Sequence, residues 1–257
     1  MTLLAVEELS VAFRAAEGRR TVVNGVSFSL GRGGRLGLIG ESGSGKTTLG
    51  RALLDLAPMA TGTVRLDGAP RPRDFRYRMQ IVFQDPYASL DPRMIVARIA
   101  SAGLRRFGPG GSEGERRLRG ILDAMQLPLD AYGRRLPPEL SGGQRPRVCI
   151  ARALAMHPRF VVANEAVSAL DLTVQTEIPA LLADLRDRLG FSCLFVSHDM
   201  GVIEALADRV VVIREGRVVE RGDSADLFAR PADAYTRRLL EAVPRLAQGS
   251  AGYRLRR

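Results

Sequence analysis

The sequence predicts an α/β protein with a mostly parallel sheet and an inserted helical block. Short apolar segments typical of strands alternate with helical patterns over much of the 257 residues, as parallel sheets require. One apolar strand leads directly into a glycine-rich loop and a helix, and helical patterns over residues 95–156 interrupt the alternation. Hydrophobic residues make up 46% and charged residues 26% of the chain. A folded core is therefore expected, and disordered and fibrous classes are excluded.

The order of strand and helix patterns supports this fold class. Short apolar segments bounded by glycine and proline predict strands. These strands are residues 4–13, 26–30, 36–39, 63–67, 79–83, 160–163, 192–196 and 210–213. After position 46, apolar residues recur at helical spacing, namely Leu49, Ala52, Leu53 and Leu56. Further helices are predicted at residues 95–107, 115–125, 145–156 and 172–189, with two short ones in the tail from about residue 222.

Charge and cysteine content narrow the class of protein without naming a function. The net charge of +10 indicates anionic partners: nucleotide phosphates, nucleic acid or the anionic face of a membrane. Cys149 and Cys193 lie in apolar segments, which is typical of reduced core thiols in a cytoplasmic protein. The N-terminus lacks the basic start and apolar block of a signal peptide. No window offers the roughly eighteen uncharged apolar residues of a membrane span.

A glycine-rich motif, GESGSGKT, occupies residues 40–47 between a predicted strand and a predicted helix. It fits a phosphate-binding loop, in which backbone N–H groups and the start of a helix hold phosphate oxygens. Lys46 is the only lysine in the chain, and a slim ammonium suits such a cradle better than a guanidinium does. We expect Lys46 to bind the β and γ phosphates and Thr47 to bind Mg²⁺. The candidate nucleotide-binding residues here are Gly40, Glu41, Ser42, Gly43, Ser44, Gly45, Lys46, Thr47 and Thr48.

A second glycine turn, LSGGQ at residues 140–144, precedes another predicted helix and is again suited to an anion. This motif comes after the phosphate loop in the sequence, and it resembles the signature motif of ATP-binding cassette (ABC) ATPases. Other landmarks of that family occur in the same order. Residues 83–85 resemble the Q-loop, 160–165 the Walker B strand, 168–171 the D-loop and 196–199 the switch histidine, and Phe13 fits the aromatic residue that stacks on adenine.

The resemblance implies one ABC nucleotide-binding domain over residues 1–257, with three parts. Residues 1–87 and 157–221 would form the ATPase core with an N-terminal antiparallel β subdomain. Residues 88–156 would form the helical subdomain that carries the signature, and residues 222–257 a C-terminal tail.

The resemblance also implies how the site residues act. Two such subunits face head to tail, so that ATP on one phosphate loop touches the signature of the other. Those signature residues are Ser141, Gly142, Gly143 and Gln144. Glu165 would polarise the attacking water, His198 would contact the γ-phosphate, and Gln84 would sense Mg²⁺ and water. The implied cofactors are ATP and Mg²⁺.

Two positions depart from the family pattern. The Walker B strand usually ends in aspartate and glutamate, whereas here Asn164 precedes Glu165. Asparagine keeps an acceptor oxygen for Mg²⁺ but lacks the charge, so we expect weaker Mg²⁺ binding and slow or absent hydrolysis at this subunit's own site. An engineered or chance substitution is the alternative. Pro146 stands where the family often has glutamine, in the first turn of a helix, where proline is tolerated.

Three segments resemble the peptide and nickel importer branch of the family: residues 84–93, 165–175 and 228–240. The tail segment has Asp233 in place of histidine and Ala234 in place of proline. Members of this branch work as two different ATPase subunits beneath two transmembrane permeases at the cytoplasmic face of the membrane. The resemblance therefore implies a second ATPase subunit for this chain, in a heterodimer or a homodimer. An extracellular binding protein delivers the cargo.

Two other classes of function remain open. A soluble ABC ATPase acting on DNA or ribosomes could use the positive charge, but the coiled-coil insertion or second cassette typical of those proteins is not recognised, so no nucleic-acid partner is expected. A regulatory module could bind ATP without hydrolysing it. Asn164 favours that role, whereas Glu165 and His198 argue against it.

Overall fold

The structure, a computed structural model, describes residues 1–16, 18–70, 72, 74–83, 85–164 and 172–242. These residues form two compact units. The first unit combines the described residues up to 73 with those from 192 onward, and the second unit lies between them. The α/β class with parallel strands is confirmed. The division into ATPase core, helical subdomain and tail stays a prediction.

The N-terminal part of the first unit contains an antiparallel sheet. The elements of this part of the unit are β1 (Thr2–Ala15), β2 (Gly18–Gly31), β3 (Arg35–Ile39), α1 (Lys46–Leu53), β4 (Met59–Leu66) and β5 (Ala69–Pro70). Strands β2, β1, β4 and β5 pair in that order. Val6 and Leu9 are three residues apart and would face opposite sides of a regular strand. The register shifts between them, with φ 47° at Glu8, and this bulge lets both side chains reach the core.

Helix α1 is shorter than predicted. It ends at Leu53, and Leu56 lies beyond it with 52% of its surface exposed. Asp55 adopts a left-handed conformation with φ 61°. The N–H of Leu56 donates to the carbonyl of Arg51 at 2.9 Å, and the N–H of Asp55 donates three residues back at 3.1 Å. This pair of bonds is a Schellman motif, which ends the helix before Leu56.

The second unit is mostly helical. Its elements are α2 (Phe75–Arg78), β6 (Met79–Val82), α3 (Pro86–Ser89), α4 (Val96–Ala100), α5 (Ala102–Phe107), α6 (Gly111–Ala124), α7 (Leu129–Tyr132), a 3₁₀ turn (Pro137–Glu139), α8 (Gln144–Leu154), β7 (Phe160–Asn164) and α9 (Leu172–Leu189). Strands β6 and β7 are parallel, in register from Met79 opposite Phe160. Helix α8 supplies much of the core through Val148, Cys149 and Ile150.

The prediction of a single helix over residues 95–107 is wrong, because the structure has two helices there. Helix α4 ends at Ala100 and α5 begins at Ala102. Between them, the Ser101 hydroxyl donates to the carbonyl of Arg98 at 3.4 Å. A serine that bonds its own preceding turn competes with regular helical bonding.

The chain then returns to the first unit. Its elements are β8 (Ser192–Val196), α10 (Met200–Leu206), β9 (Arg209–Arg214), β10 (Arg217–Asp223), α11 (Ser224–Ala229) and α12 (Ala234–Glu241). Strand β3 pairs in parallel with β8 on one side and with β9 on the other. Strand β10, which the sequence does not predict, pairs antiparallel with β9. In the described part of the chain, no helix is both long enough and apolar enough to cross a membrane.

Candidate functional site

The predicted phosphate loop joins β3 to α1 in the first unit. The strand ends at the buried Ile39 and the helix begins at Lys46. Gly45, immediately before the helix, is left-handed with φ 102°. No side chain caps α1, and its first turn contains no acidic residue. The first N–H groups of a helix lack partners within the helix, so this end is suited to an anion.

Gly40 allows the loop to leave β3 in close contact with β9 and with Ser44. Its φ is 154°, and a Cβ at this position would lie 2.2 Å from the carbonyl oxygen of Ile213 and 2.8 Å from Ser44 Oγ. Neither approach is possible for a real side chain. Only glycine fits here, because it lacks a Cβ and tolerates this backbone conformation.

The Lys46 ammonium points back into the loop. The residue is only 4% exposed, and Nζ donates to the carbonyl oxygens of Gly40 at 2.7 Å and Glu41 at 2.8 Å. These bonds satisfy a buried charge. Phosphate oxygens are negatively charged and make stronger hydrogen bonds to an ammonium than neutral carbonyls do. Lys46 can therefore exchange its carbonyl partners for phosphate.

Ser44 supplies a buried polar atom that the described residues leave unpaired. The residue is 6% exposed, and its Oγ has no hydrogen-bond partner among them. Leaving a buried hydroxyl unpaired costs about 1–3 kcal/mol. At Gly43, no described atom outside the adjacent residues lies within 4 Å of where a Cβ would stand. The unpaired hydroxyl, the adjacent open space, the ammonium and the uncapped helix together fit the phosphate groups of a nucleotide.

The remaining loop residues differ in exposure. Thr47 and Thr48 lie half-buried in the first turn of α1, and Glu41 and Ser42 are exposed. A hydroxyl oxygen such as that of Thr47 is a ligand that Mg²⁺ accepts.

Two segments distant in sequence hold the backbone of the loop. Gly216, between β9 and β10, donates its N–H to the carbonyl of Ser44 at 2.9 Å and accepts from the N–H of Asn24 at 2.8 Å. The hydroxyl of Tyr235 in α12 accepts a hydrogen bond from the N–H of Glu41 at 3.0 Å. Sequence reasoning misses both contacts, although Tyr235 lies within the tail segment that resembles the importer branch.

Phe13 lies near the end of β1 and is 39% exposed, so its ring is not part of the core. It pairs with Arg20 of β2, two residues beyond the pair of Val11 with Val23. A methyl carbon of Val23 lies 3.5 Å from where a Cβ would stand on Gly45. This end of the hairpin is therefore close to the loop, as an adenine-stacking residue requires, and the stacking role stays a prediction.

His198 follows β8 and is exposed. Because β3 and β8 are parallel, with Leu38 opposite Val196, Gly40 and His198 each lie two residues further on, at the same edge of the sheet. The next residue, Asp199, caps α10 by accepting the N–H of Val202 at 3.2 Å. The structure thus brings His198 to the edge from which the phosphate loop leaves.

The signature residues belong to the second unit. Ser141 and Gly142 are exposed immediately before α8, whose first turn has no side-chain cap and no acidic residue. Gln144 Oε1 accepts the N–H of Ser141 at 3.0 Å, and its Nε2 donates to the hydroxyl of Tyr132 at 3.3 Å. Its side chain therefore orders the turn. The N–H groups of Gln144 and Arg145 donate to the carbonyl of Ser141 at 3.1 and 3.3 Å, so the exposed Ser141 and Gly142 and the half-buried Gly143 are the part of the turn that a ligand could approach.

Asn164 is the last residue of β7 and is 2% exposed. Its neighbour Glu165 lies outside the described residues, as do Gln84 and the D-loop residues 168–171. Pro146 is the third residue of α8 and is buried, and the helix continues through it as the sequence predicts.

Comparison with known proteins identifies the class. The profile of the ABC transporter family matches residues 23–168, so the chain belongs to that family. Within the family it is an ATP-binding subunit with ATPase activity.

Three relatives illustrate the similarity. A protein of Brucella ovis named "Putative peptide import ATP-binding protein" is 45% identical over 251 residues, covering 94% of this chain and 78% of the relative. A protein of the same description from Brucella abortus is 41% identical over 259 residues, covering 95% and 76%. The solved structure of cbiO1 from Clostridium perfringens, part of the ABC transporter complex cbiONQ, matches with a TM-score of 0.77 and 28% identity, covering 89% of this chain and 91% of that one.

Proposed function

We propose that this chain binds and hydrolyses ATP to drive the import of peptides, nickel or a metal chelate through partner permeases. The observation that carries the proposal is the phosphate loop, with its buried Lys46 ammonium and unpaired Ser44 hydroxyl. Relatives named for peptide import, at 45% and 41% identity, support peptides as the cargo. The tail segment 228–240 supports the wider peptide and nickel branch.

In this proposal the loop residues bind the triphosphate of ATP. The Lys46 ammonium moves from the carbonyls of Gly40 and Glu41 to phosphate oxygens, and Ser44 Oγ gains the partner it lacks. Thr47 contributes its hydroxyl to Mg²⁺, which would neutralise phosphate charge during transfer. Phe13 offers its exposed ring to the adenine.

The signature of each subunit completes the nucleotide site of a second ATPase subunit. The exposed Ser141 and Gly142 immediately before α8 support this role, because the positive end of the helix dipole attracts the negative charge of a phosphate. The second subunit is either another copy of this chain or a different ABC ATPase.

Hydrolysis in this proposal depends on three residues. Glu165 polarises the attacking water, Gln84 senses Mg²⁺ and water, and His198 contacts the γ-phosphate. The placement of His198 at the sheet edge beside Gly40 supports its role. Asn164 contributes an uncharged oxygen where the family has a carboxylate, so Mg²⁺ binds more weakly and turnover is slow at this subunit's own site.

A second candidate function follows from Asn164. The chain would bind ATP and regulate an importer without hydrolysing ATP, and the partner ATPase would perform the hydrolysis. The buried amide at the end of β7 favours this candidate because it carries no charge for Mg²⁺.

The partners follow from the same proposal. Two transmembrane permeases hold the ATPase pair at the cytoplasmic face of the membrane, and an extracellular protein delivers the cargo. No nucleic-acid partner is included.

The test is reconstitution with candidate permeases. We expect the full chain to copurify with a permease pair and to support ATP-dependent uptake of a labelled peptide into liposomes, with Lys46→Ala as the inactive control. Salt-sensitive retention on nucleic acid without permease binding would contradict the proposal. If the chain copurifies with the permeases but peptide uptake does not require this chain's Glu165, the regulatory candidate is favoured.

A further inference from the structure

The C-terminal helix α12 makes a direct contact with the phosphate loop. The hydroxyl of Tyr235 accepts a hydrogen bond from the N–H of Glu41 at 3.0 Å. That N–H belongs to the peptide group whose carbonyl oxygen, on Gly40, accepts the Lys46 ammonium at 2.7 Å. One peptide group of the loop is therefore bonded at both ends.

The planarity of this peptide group links the two bonds. In a trans peptide the N–H and C=O point in opposite directions and turn together. Tyr235 therefore fixes the direction of the Gly40 carbonyl that holds Lys46. Hydrogen bonds at both ends of a peptide group also polarise each other. Losing the tyrosine hydroxyl would free the peptide to rotate and would move the oxygen that positions the ammonium.

The position of Tyr235 is itself well determined. The side chain is 4% exposed, and the Arg214 guanidinium lies over its ring, 5.1 Å from the centroid. The Asp233 carboxylate caps α12 by accepting the N–H of Tyr235 at 2.7 Å. Glu220 of β10 in turn accepts the N–H of Asp233 at 3.1 Å. Burial raises the pKa of the Tyr235 hydroxyl, so it stays neutral near physiological pH.

We propose that Tyr235 is a positioning residue for the phosphate loop, and that the C-terminal segment of this chain thereby sets its affinity for ATP. Through Tyr235, α12 holds the loop in the conformation that receives phosphate before the nucleotide arrives. The proposal rests on ATP binding at this loop. An apparent dissociation constant rises in proportion as the competent conformation becomes less populated.

The test is ATP binding to the full chain carrying Tyr235→Phe, which removes the hydroxyl and keeps the ring. We expect the dissociation constant for ATP to rise about tenfold, as expected for losing one buried hydrogen bond. The matched control is Thr236→Val in the same helix, since the Thr236 hydroxyl is buried and has no hydrogen-bond partner among the described residues. This control should bind ATP like the parent.

A second measurement separates positioning from loss of fold. Amide hydrogen exchange in the nucleotide-free chain should become faster in the peptide containing Glu41 in Tyr235→Phe, with the melting temperature close to that of Thr236→Val. An unchanged ATP dissociation constant in Tyr235→Phe would overturn the proposal, as would an equal rise in both variants. Lys46→Ala serves as the reference: if it binds ATP like the parent, the site of ATP binding itself has been misassigned.

Discussion

Lys46 is the residue on which nucleotide binding depends most directly. It provides the loop's ammonium, it is 4% exposed, and its two carbonyl partners belong to the loop itself. One of these partners, Gly40, itself lies in close contact with β9, since a Cβ there would stand 2.2 Å from the carbonyl oxygen of Ile213. Charge and shape at this position can be separated by substitution.

Lys46→Arg keeps the charge and changes the shape. We expect ATP affinity to fall at least about tenfold, because the planar guanidinium is larger and presents its donors in a fixed fork. Equilibrium binding of ATP to the parent, Lys46→Arg and Lys46→Ala measures this. Parent-like affinity in Lys46→Arg would mean that positive charge alone suffices.

Asn164→Asp tests the missing carboxylate of β7. We expect it to lower the Mg²⁺ concentration for half-maximal turnover and to raise turnover about threefold or more, since a charged oxygen binds Mg²⁺ more strongly than an amide oxygen. The nucleotide-free variant should be less stable, because burying a carboxylate costs more than burying an amide. Superimposable Mg²⁺ curves for the two chains would rule out this role for Asn164.

The reactivity of the Cys149 thiol tests the packing of α8. The residue is 1% exposed, and burial raises the pKa of its thiol from 9.0 to about 11. The folded state favours the neutral thiol. The contribution of this preference to the free energy of unfolding is complete below about pH 9 and is lost as the pH rises from about 9 to about 11. At pH 8 we expect alkylation about a hundredfold slower in the folded than in the urea-unfolded chain. Equal rates at Cys149, measured by peptide mass spectrometry, would contradict its burial.

Sequence patterns identify residues whose chemical role can be inferred from their neighbours in the sequence. Lys46, Ser141 and Asn164 stand within motifs, so their chemical types can be recognised without coordinates. The unpaired Ser44 hydroxyl and the Tyr235 contact depend on how distant segments pack. No spacing rule connects positions 41 and 235.

At the scale of elements, the hairpin of β9 and β10 shows why one strand escapes prediction. Strand β10 is largely polar and only partly buried, so it lacks a strong apolar pattern. It forms through pairing with β9 across a two-residue turn, where Glu215 and Gly216 have φ values of 48° and 76°. Positive φ at both central positions is typical of a type I′ hairpin turn. The dipeptide Glu215-Gly216 between two valine-rich segments is the signal that could have revealed it.

The same turn yields a prediction about the loop it supports. A Cβ on Gly216 would lie 2.4 Å from the carbonyl oxygen of Val22, so Gly216→Ala must displace backbone that bonds Ser44. We expect a loss of about 2 kcal/mol or more in unfolding free energy and weaker ATP binding. Gly222→Ala in β10 is the matched control, since no described atom outside the adjacent residues lies within 4 Å of its Cβ position. Chemical denaturation of both variants distinguishes them, and equal stability would contradict the close approach.

Buried elements with strong apolar patterns are predicted well, and breaks within helical patterns are not. Strands β3, β7 and β8 and helix α8 lie within two residues of the predicted bounds, because buried parallel strands and core helices are nearly continuous in apolar residues. The break at Ser101 and the end of α1 at Leu53 depend on local hydrogen bonds that periodicity does not register.

For the whole molecule, the two units divide the predicted chemistry. The first contains the phosphate loop, Phe13 and His198, and the second contains the signature and Asn164. The net charge of +10 favours a nucleotide with several negative charges, although it does not specify one. The match to the ABC transporter family over residues 23–168 covers the phosphate loop, the signature and Asn164.

The most direct test of the central claim is steady-state ATP hydrolysis by the full chain over a Mg²⁺ titration, with Glu165→Gln as the background and Asn164→Asp in parallel. We predict slow, Mg²⁺-dependent turnover above the Glu165→Gln background, and faster turnover for Asn164→Asp. Turnover of both chains at the Glu165→Gln level, alone and with the partner ATPase, would contradict the claim that this subunit hydrolyses ATP.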